Sequence, residues 1–429
     1  MDRETLLEAL VYWNKWDRDE PSGLHPRAIL ASFDRWMESR KVKVVKGVRR
    51  CGKSAVLHLL KERLVKAGCN RKAILYLNLE EPVFSAGKNG DVLDLLYETY
   101  REAIYPEGKA YLLVDEIQLI PEWERWVRAR SEREDIRVVI TGSSSKLLSK
   151  ELGTLLTGRH ISFELFPLSF REFLEFHNIR IGTMDTVSII VNKRKIRGLL
   201  KQYIEYGGFP EVCLEDNEEK KKTILTHYFD DMLHRDVAER HQIRNIKTLR
   251  ALAYHYLTNF SSLMSFNQLK NVLDAPIDVV RNYTTYLSEA YLVFEVPRFS
   301  WKTKEQIRYP RKIYTIDTGL RNSVAFRFSR DVGKAVENII FMQLKRRGKN
   351  IYYWHNRHEV DFVVEDKGKL TLVNSAWEVK KRAVEGIVEA ARDLGIKEGT
   401  IVTESTTKTE RLKGITVNFI SLWEWLLGA

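Results

Sequence analysis

The chain lacks most features that would set it apart from ordinary globular proteins. It has only three cysteines in 429 residues, Cys51, Cys69 and Cys213, and their spacing fits neither a disulfide framework nor a zinc site. No apolar run approaches the roughly 20 residues of a membrane span, and the first residues lack the basic-then-apolar order of a signal peptide. We therefore expect a soluble, cytoplasmic protein with free thiols and no membrane partner.

Low-complexity tracts and internal repeats are also missing, and acidic residues are in deficit. The chain has 70 Lys and Arg against 58 Asp and Glu, a net charge of +12. Cationic side chains gain free energy when they release counterions condensed on nucleic acid, so this excess favours a polyanionic partner. The length of the chain exceeds that of a single hydrophobic core and predicts several domains.

The strongest motif is a phosphate-binding loop. Residues 47–54 read GVRRCGKS, the pattern G-x-x-x-x-G-K-S, between an apolar strand and an apolar-rich helix. Gly47 and Gly52 allow the backbone to curl so that its N–H groups point at phosphates. Lys53 is expected to reach the β- and γ-phosphates, and the Ser54 hydroxyl to ligate Mg²⁺. The sequence therefore predicts binding of a nucleoside triphosphate.

A second motif supplies the groups for hydrolysis. The apolar strand at 110–114 ends in Asp115 and Glu116. Asp115 is expected to hold the Mg²⁺ shell, and Glu116 to position and deprotonate the attacking water. The N-K-x-D motif of GTPases is absent from the sequence, which favours ATP over GTP.

Two further positions have both a catalytic and a structural interpretation. The strand at 136–140 leads into TGSSS, where Ser143 or one of the next two serines offers a hydroxyl to the γ-phosphate or simply forms a turn. Arg159 follows a glycine and is either a surface side chain or a group that stabilises transition-state charge in a neighbouring subunit. The second role would require a homo-oligomer.

Strand and helix patterns divide the chain into five parts. Apolar strands alternate with helices in the first half, which predicts a parallel α/β sheet with function at the carboxyl ends of its strands. Further on, three helices and a hairpin with a polar basic tip fit a winged helix-turn-helix. We assign 1–26 to an N-terminal helical segment, 27–180 to a P-loop ATPase domain, 181–245 to a helical lid, 246–316 to the winged helix-turn-helix, and 317–429 to a final α/β domain.

Basic and aromatic side chains mark a nucleic-acid interface in the winged segment. Cations can follow phosphates while an exposed aromatic ring stacks on a base. A winged helix also serves as a protein-docking module, and a charged tip is also compatible with simple solvation. The candidate DNA-binding residues are Arg281, Asn282, Arg298, Trp301, Lys302 and Lys304, with Phe299 as a second aromatic at the tip.

The chain resembles the prokaryotic AAA-type ATPases of the AAA_14 group, which commonly carry a C-terminal region called DUF4143. The likeness rests on GxRRxGKS at 47–54, DEIQ at 115–118, FPLSF at 166–170, GGFPE at 207–211 and DTGL at 317–320. It implies an ASCE/AAA-type P-loop fold with ATP and Mg²⁺ as cofactors. Cys51 departs from the small or polar residues usual there, which should not abolish binding because the loop contacts phosphate through its backbone.

Four polar residues near the C-terminus suggest a second, metal-dependent site. Glu337 lies in a helix pattern, Asp361 in a strand pattern, and Glu378 and Lys380 two apart in what we interpret as the next strand, where they would share one face. Asp361 and Glu378 would ligate Mg²⁺ or Mn²⁺ for phosphodiester cleavage, with Lys380 orienting the water and Glu337 completing the shell. The arrangement resembles the PD-(D/E)xK nucleases, so a restriction-endonuclease-like α/β domain is expected.

Two functions fit these observations. The first is an ATP-hydrolysing protein that couples a AAA-type ATPase to Mg²⁺-dependent cleavage of structured DNA. The second is a nucleotide-gated module that binds DNA or a protein through a catalytically inactive nuclease-like domain. A chain that acts on a protein partner through its helical middle part is a third alternative.

Overall fold

The computed structural model describes residues 3–18, 22–85, 91–142, 156, 158–181, 186–326 and 332–428. The chain divides into two compact units, Met1–Leu165 and Phe166–Ala429. The predicted boundaries at 180, 245 and 316 do not coincide with the boundary between these units. Each unit is described by itself.

The first unit is built on a parallel sheet of five strands in the order β2-β3-β4-β1-β5. Its strands are β1 Val42–Gly47, β2 Ile74–Asn78, β3 Ala110–Asp115, β4 Ile136–Gly142 and β5 His160–Leu165. Its helices are α1 Arg3–Asn14, α2 Leu30–Phe33, α3 Lys53–Lys66, α4 Pro82–Ser85, α5 Asp91–Ala103 and α6 Trp123–Arg133. The sheet confirms the predicted P-loop α/β fold.

Burial explains why the sequence forms this sheet. All six residues of β3 are buried, as expected for a central parallel strand covered by helices on both faces. Because β1, β4 and β3 are neighbours in one parallel sheet, the loops that follow them leave from the same edge. The phosphate-loop motif and the Asp115–Glu116 pair are therefore brought to one place.

The second unit begins with a helical region and contains two further sheets. Its helices are α7 Phe170–Phe176, α8 Thr186–Tyr206, α9 Pro210–Leu214, α10 Glu218–Asp231, α11 Ile246–Thr258, α12 Phe266–Leu273, α13 Ile277–Glu289, α14 Thr303–Arg308, α15 Thr318–Val324, α16 Val332–Arg346, α17 Lys381–Asp393 and α18 Leu422–Gly428, with a π-helix at Met232–Glu239. Its strands are β6 Ser262–Met264, β7 Val293–Val296, β8 Arg311–Thr315, β9 Asn350–His355, β10 Glu359–Asp366, β11 Lys369–Ala376, β12 Glu398–Thr403, β13 Lys408–Leu412 and β14 Ile415–Ser421.

The two sheets of this unit differ in type. Strands β6-β8-β7 form a small antiparallel sheet beside α11, α12 and α13, and strands β13-β14-β12-β11-β10-β9 form a mixed sheet. The three helices predicted within 246–316 are present. We call α11 to β8 the winged segment.

The predicted basic tip of the winged segment differs from a simple hairpin turn. It contains the short helix α14, and the chain ahead of it pairs with the C-terminal sheet. The Phe299 N–H donates to the Tyr353 carbonyl at 2.7 Å, and the Tyr353 N–H donates to the Pro297 carbonyl at 3.1 Å. Phe299 itself is buried in the hydrophobic core of that sheet, so it is not available to stack on a base.

Gly207, Gly208 and Asp317 form a close packing arrangement in this unit. Asp317 caps α15 by accepting from the Leu320 N–H at 2.9 Å, and its other oxygen accepts from the Gly208 N–H at 2.7 Å. Gly207 has φ +75°, and a Cβ there would lie 1.9 Å from the Asp317 carboxylate. A Cβ on Gly319 would lie 2.0 Å from the Tyr206 carbonyl oxygen. The GGFPE and DTGL motifs therefore pack directly against each other.

Candidate ATPase site and a second acidic cluster

The phosphate loop has the backbone geometry that its glycines predict. Gly52 has φ +97°, and a Cβ on Gly47 would lie 2.0 Å from the Leu165 carbonyl oxygen. Lys53 opens α3, and its ammonium donates to the carbonyls of Gly47 and Val48 at 3.2 and 3.3 Å. Ser54 follows on the first turn and is exposed. The cation and the hydroxyl thus lie at a helix N-terminus, where an anion is favoured.

Asp115 and Glu116 lie beside this loop, as predicted. The Asp115 carboxylate accepts from the Thr141 hydroxyl and, at 3.3 Å, from the Tyr76 hydroxyl. The Glu116 N–H donates to the same Thr141 hydroxyl at 3.0 Å. Thr141 was not among the predicted site residues, although its place at the carboxyl end of β4 was a usable signal. Thr141 fixes the two acidic residues relative to each other.

The Glu116 side chain is partly buried and held in place by its neighbours. Its backbone is left-handed, with φ +53°, and its carboxylate lies 3.9 Å from the Lys53 ammonium. The Gln118 side-chain amide donates to its other oxygen. Burial raises the pKa of the Glu116 carboxyl above its ordinary value, although Lys53 opposes this. A carboxylate whose pKa is raised is a stronger base for a water molecule.

Cys51 packs inside the protein behind the phosphate loop. Its side chain is fully buried, and its thiol points at the Leu165 carbonyl at 3.5 Å. Its own carbonyl accepts from the Arg27 guanidinium at 2.7 Å. Arg27 therefore braces the phosphate loop from outside the motif, a role that no pattern in the sequence indicates.

Arg159 lies far from the phosphate loop of its own chain. Its carbonyl accepts from the Val42 N–H at 2.9 Å, at the start of β1, whereas the loop follows the end of β1 at Gly47. At about 3.3 Å per residue these two ends are roughly 16 Å apart. The Arg159 guanidinium pairs with Glu132 instead. Arg159 therefore does not serve its own site. Ser143, the other predicted γ-phosphate contact, lies outside the described residues.

Glu337 and Asp361 come together as predicted, but around a lysine. The Lys312 ammonium donates to one oxygen of each at 2.9 Å and also pairs with Glu359. The Tyr314 hydroxyl donates to the same Glu337 oxygen at 2.7 Å. The second Asp361 oxygen accepts from the Ser375 N–H and hydroxyl at 2.8 and 2.7 Å. We call Lys312, Tyr314, Glu337, Glu359 and Asp361 the acidic cluster.

The predicted positions of Glu378 and Lys380 are wrong. Strand β11 ends at Ala376, and both residues follow it on an exposed stretch before α17. The register of β10 and β11, with Phe362 opposite Val373, places Asp361 opposite Asn374. The side chains beside Asp361 are therefore an amide and a hydroxyl, and Glu-x-Lys is not part of the cluster.

The acidic cluster does not fit the metal that a nuclease site would need. Lys312 supplies a positive charge at the point where its carboxylates converge, and a bound divalent cation would be repelled by it. Within the described part of the chain, no group of three or more His, Cys, Asp or Glu side chains is arranged to hold a metal ion. We therefore derive no cleavage step from this cluster.

Glu337 makes stability depend on pH. Burial, and secondarily the Asp361 charge, raise the pKa of the Glu337 carboxyl to about 7 from 4.5. Protonated Glu337 therefore favours the folded state. This contribution is fully present below about pH 4.5 and is lost as pH rises toward 7.

We expect Glu337→Gln to flatten this dependence. The free energy of unfolding of the unchanged chain should fall from pH 5 to pH 7.5 by about 2 kcal/mol more than that of the variant. Urea unfolding at both pH values measures the difference. Asp317, whose pKa is raised to about 6 by burial, gives a background of the same sign in both proteins. Glu378→Gln, at an exposed position, is the matched control, and an equal slope for all three proteins would contradict the assignment.

The predicted DNA-binding residues of α13 lie on its accessible side. The Arg281 guanidinium is 3.7 Å from Asp278 and lies 5.8 Å from the centre of the Phe266 ring. Asn282 is exposed. Arg281 also lines a cavity of about 470 Å³ between α12, α13 and the β7–β8 arm, which contains Arg308 and Arg311.

The predicted residues of the tip fall into two groups. Trp301 is 76% exposed, Lys304 is exposed, and Lys302 is exposed and 3.6 Å from Glu305. Arg298 differs because its guanidinium donates to the His355 carbonyl and covers the Tyr309 ring at 4.2 Å. Arg298 therefore stabilises the fold, and the other three side chains remain available to a partner.

The sheet order, the phosphate loop and the Asp115–Glu116 pair define a P-loop ATPase domain of the AAA type. The family model "AAA domain" (AAA_14) matches residues 39–174, a domain of unknown function (DUF8612) matches 197–331, and a second one (DUF4143) matches 332–425. The chain is 34% identical over 407 residues to "Uncharacterized protein MJ1544" of Methanocaldococcus jannaschii, covering 90% of this chain and 88% of the relative. It belongs to the family of that protein.

The chain is also similar to one further relative and to solved structures. An uncharacterized protein of Haemophilus influenzae is 30% identical over 396 residues, which cover 90% of this chain and 94% of the relative. The match to the structure of AMPPCP-bound DnaA from Aquifex aeolicus covers 61% of this chain and 86% of the DnaA chain. The sequence identity is 16% and the TM-score is 0.26. The match to a DNA polymerase III gamma subunit-related protein from Thermotoga maritima covers 61% of this chain and 99% of that protein's chain. The sequence identity is 13% and the TM-score is 0.28. None of the described helices is both long and apolar enough to cross a bilayer.

Proposed function

We propose that the chain is an ATP-driven switch that binds DNA through its winged segment and does not cut it. The observation that carries the ATPase part is the convergence of Lys53, Asp115, Glu116 and Thr141 at one sheet edge. The exposed cations and Trp301 of the winged segment support DNA as the partner. The position of Glu378 and Lys380 outside the acidic cluster favours binding over cleavage.

The residues of the ATPase site have distinct roles. The loop amides and Lys53 bind the phosphates and stabilise the charge that develops on them. Ser54 and Asp115 are the groups that would hold Mg²⁺, which supplies charge neutralisation at the β- and γ-phosphates when bound. Glu116 orients a water and accepts its proton, and Thr141 keeps Asp115 and Glu116 in register.

The rate of ATP hydrolysis with and without DNA tests this function. We expect branched, single-stranded or duplex DNA to raise the rate in low salt and to remain intact in Mg²⁺ or Mn²⁺. The Lys53→Ala variant, which lacks the phosphate-binding cation, is the control for contaminating ATPases. Hydrolysis with no DNA binding at low salt would instead indicate a protein partner.

Cleavage is the second candidate, because Glu337 and Asp361 do converge. It predicts metal-dependent nicking of labelled DNA that Asp361→Ala abolishes while ATP hydrolysis persists. Cleavage that survives this substitution would come from another site or a contaminant. Cleavage lost in Asp361→Ala but kept in Lys380→Ala would show a nuclease without the Glu-x-Lys pair.

For the winged segment, we expect the double substitution Arg281→Ala and Lys304→Ala to weaken DNA binding. Each lost phosphate contact should reduce the slope of log K against log salt by roughly 0.7–0.9. Fluorescence anisotropy with labelled DNA over a salt series measures both the affinity and the slope. Lys222→Ala, an exposed cation on α10, is the control, and equal losses in both proteins would place the interface elsewhere.

We further propose that Arg159 completes the site of a neighbouring copy. Arg159→Ala should then lower hydrolysis by about 10³-fold or more, as expected for loss of an arginine finger. Mixing the Arg159→Ala variant with the Lys53→Ala variant should restore part of the activity. In some mixed oligomers, a subunit with an intact phosphate loop then lies beside a subunit with an intact Arg159. Arg125→Ala on α6 is the control. Full activity of Arg159→Ala, or no recovery on mixing, would contradict this role.

A further inference from the structure

The acidic cluster of the second unit contains a lysine whose burial is unusual. The Lys312 side chain is 3% exposed, although it carries a charge that is costly to remove from water. Three carboxylates surround it, those of Glu337, Glu359 and Asp361. Their charges hold the pKa of Lys312 well above its ordinary value although burial opposes this. The ammonium is therefore charged at neutral pH.

Each proton of the Lys312 ammonium has a carboxylate partner in the cluster. An ammonium has three protons, and Lys312 has three carboxylate partners. Glu337 also accepts from Tyr314, and the second oxygen of Asp361 is occupied by Ser375. A buried charge is tolerated when its partners satisfy it in this way. The cluster is thus complete with the lysine as its central cation.

We infer that the Lys312 ammonium takes the place of a divalent metal in this cluster, which makes the cluster an electrostatic joint between the winged segment and the C-terminal sheet. Lys312 and Tyr314 belong to β8 of the winged segment, whereas Glu337 lies on α16 and Asp361 on β10. The inference concerns a site other than the ATPase centre and does not depend on the proposed function.

A second set of contacts supports the joint. The Asn338 side chain, next to Glu337 on α16, accepts from the Thr315 N–H at 2.8 Å and donates to the Thr315 carbonyl at 2.9 Å. Both backbone groups of a β8 residue are therefore bound by one amide. The winged segment and the C-terminal sheet are expected to move as one body.

Removal of the lysine should turn the joint into a metal site. Without Lys312, three carboxylates and a phenol would face one space, and such hard oxygen ligands suit Mn²⁺. The test uses the full chain with Lys53→Ala, so that the phosphate loop does not contribute a nucleotide-bound metal. Mn²⁺ binding is followed by electron paramagnetic resonance, and stability by thermal unfolding.

We expect Lys53→Ala alone to bind no Mn²⁺ tightly and to show no Mn²⁺-dependent unfolding temperature. Adding Lys312→Ala should lower that temperature by roughly 5–10 °C, create one Mn²⁺ site per chain, and make Mn²⁺ restore most of the loss. Lys380→Ala is the matched control and should change neither property.

Two results would overturn the inference. One is a stoichiometric Mn²⁺ site in Lys53→Ala that Asp361→Asn abolishes, which would show that a metal binds beside the lysine. The other is a folded Lys312→Ala variant that loses no stability or gains no Mn²⁺ site. If Lys312→Ala does not fold, the comparison of Lys53→Ala with and without Asp361→Asn still decides the question, since the inference requires that neither binds Mn²⁺.

Discussion

Glu116→Gln should lower the turnover of ATP by about 10²–10⁴-fold, the range expected when a general base is removed. The amide keeps the size of the side chain but does not accept the proton of the attacking water. Binding should persist, because Lys53 and the loop amides contact the phosphates and remain in place. Steady-state hydrolysis and binding of a fluorescent ATP analogue, measured on the same preparation, separate the two effects.

The control for this prediction is Glu122→Gln. Glu122 is close in sequence, but its side chain is exposed and its carboxylate lies 3.1 Å from the Arg125 guanidinium on α6. It should hydrolyse ATP at the unchanged rate. A Glu116→Gln variant that turns over at the same rate as this control would remove Glu116 from the mechanism.

Gly319→Ala should destabilise the second unit by about 3 kcal/mol or more, in the upper range for an added methyl group in a packed site. The new Cβ would lie 2.0 Å from the Tyr206 carbonyl oxygen and 2.7 Å from the Gly207 nitrogen. These are backbone atoms, which cannot rotate away as a side chain can. Helix α15 must therefore shift, and the hydrogen bonds of Asp317 to Gly208 and Leu320 would be strained with it.

Gly198→Ala isolates the steric effect from helix propensity. Gly198 is also a helical glycine, on α8, and a Cβ there meets nothing within 4 Å. Alanine is favoured over glycine in a helix by about 1 kcal/mol, so this variant should be as stable as the unchanged chain or more so. Chemical unfolding of both variants gives the comparison. Equal stability of the two would mean that α15 is not packed against Tyr206.

The ATPase site could be predicted because its residues are local in sequence. Gly47 to Ser54 form one turn and the start of one helix, and Asp115 and Glu116 are adjacent at the end of a fully apolar strand. Parallel strands bring such loops to one edge by topology alone. Thr141 and Arg27 were missed because they act through hydrogen bonds between segments that are distant in sequence, and a lone threonine or arginine carries no periodic signal.

The acidic cluster could be predicted only in part, because its residues come from segments that are distant in sequence. Glu337 and Asp361 were found because a glutamate in a helix pattern followed by an aspartate in a strand pattern resembles the order of the PD-(D/E)xK nucleases. The positions of Glu378 and Lys380 were predicted wrongly because the alternation of side chains along a strand does not show where the strand ends. Lys312 lies in the predicted hairpin with the basic tip, and no local pattern distinguishes a solvated lysine from one that is buried against carboxylates 25 and 49 residues away.

The acidic cluster also determines where this chain can be divided. The two domains of unknown function meet at residues 331 and 332, between Lys312 and the carboxylates with which it pairs. A recombinant fragment that starts at Val332 would retain Glu337 and Asp361 in its interior with no counter-charge. Preparation of this half of the molecule for crystallisation should therefore start upstream of β6, so that the donor and its acceptors are expressed together.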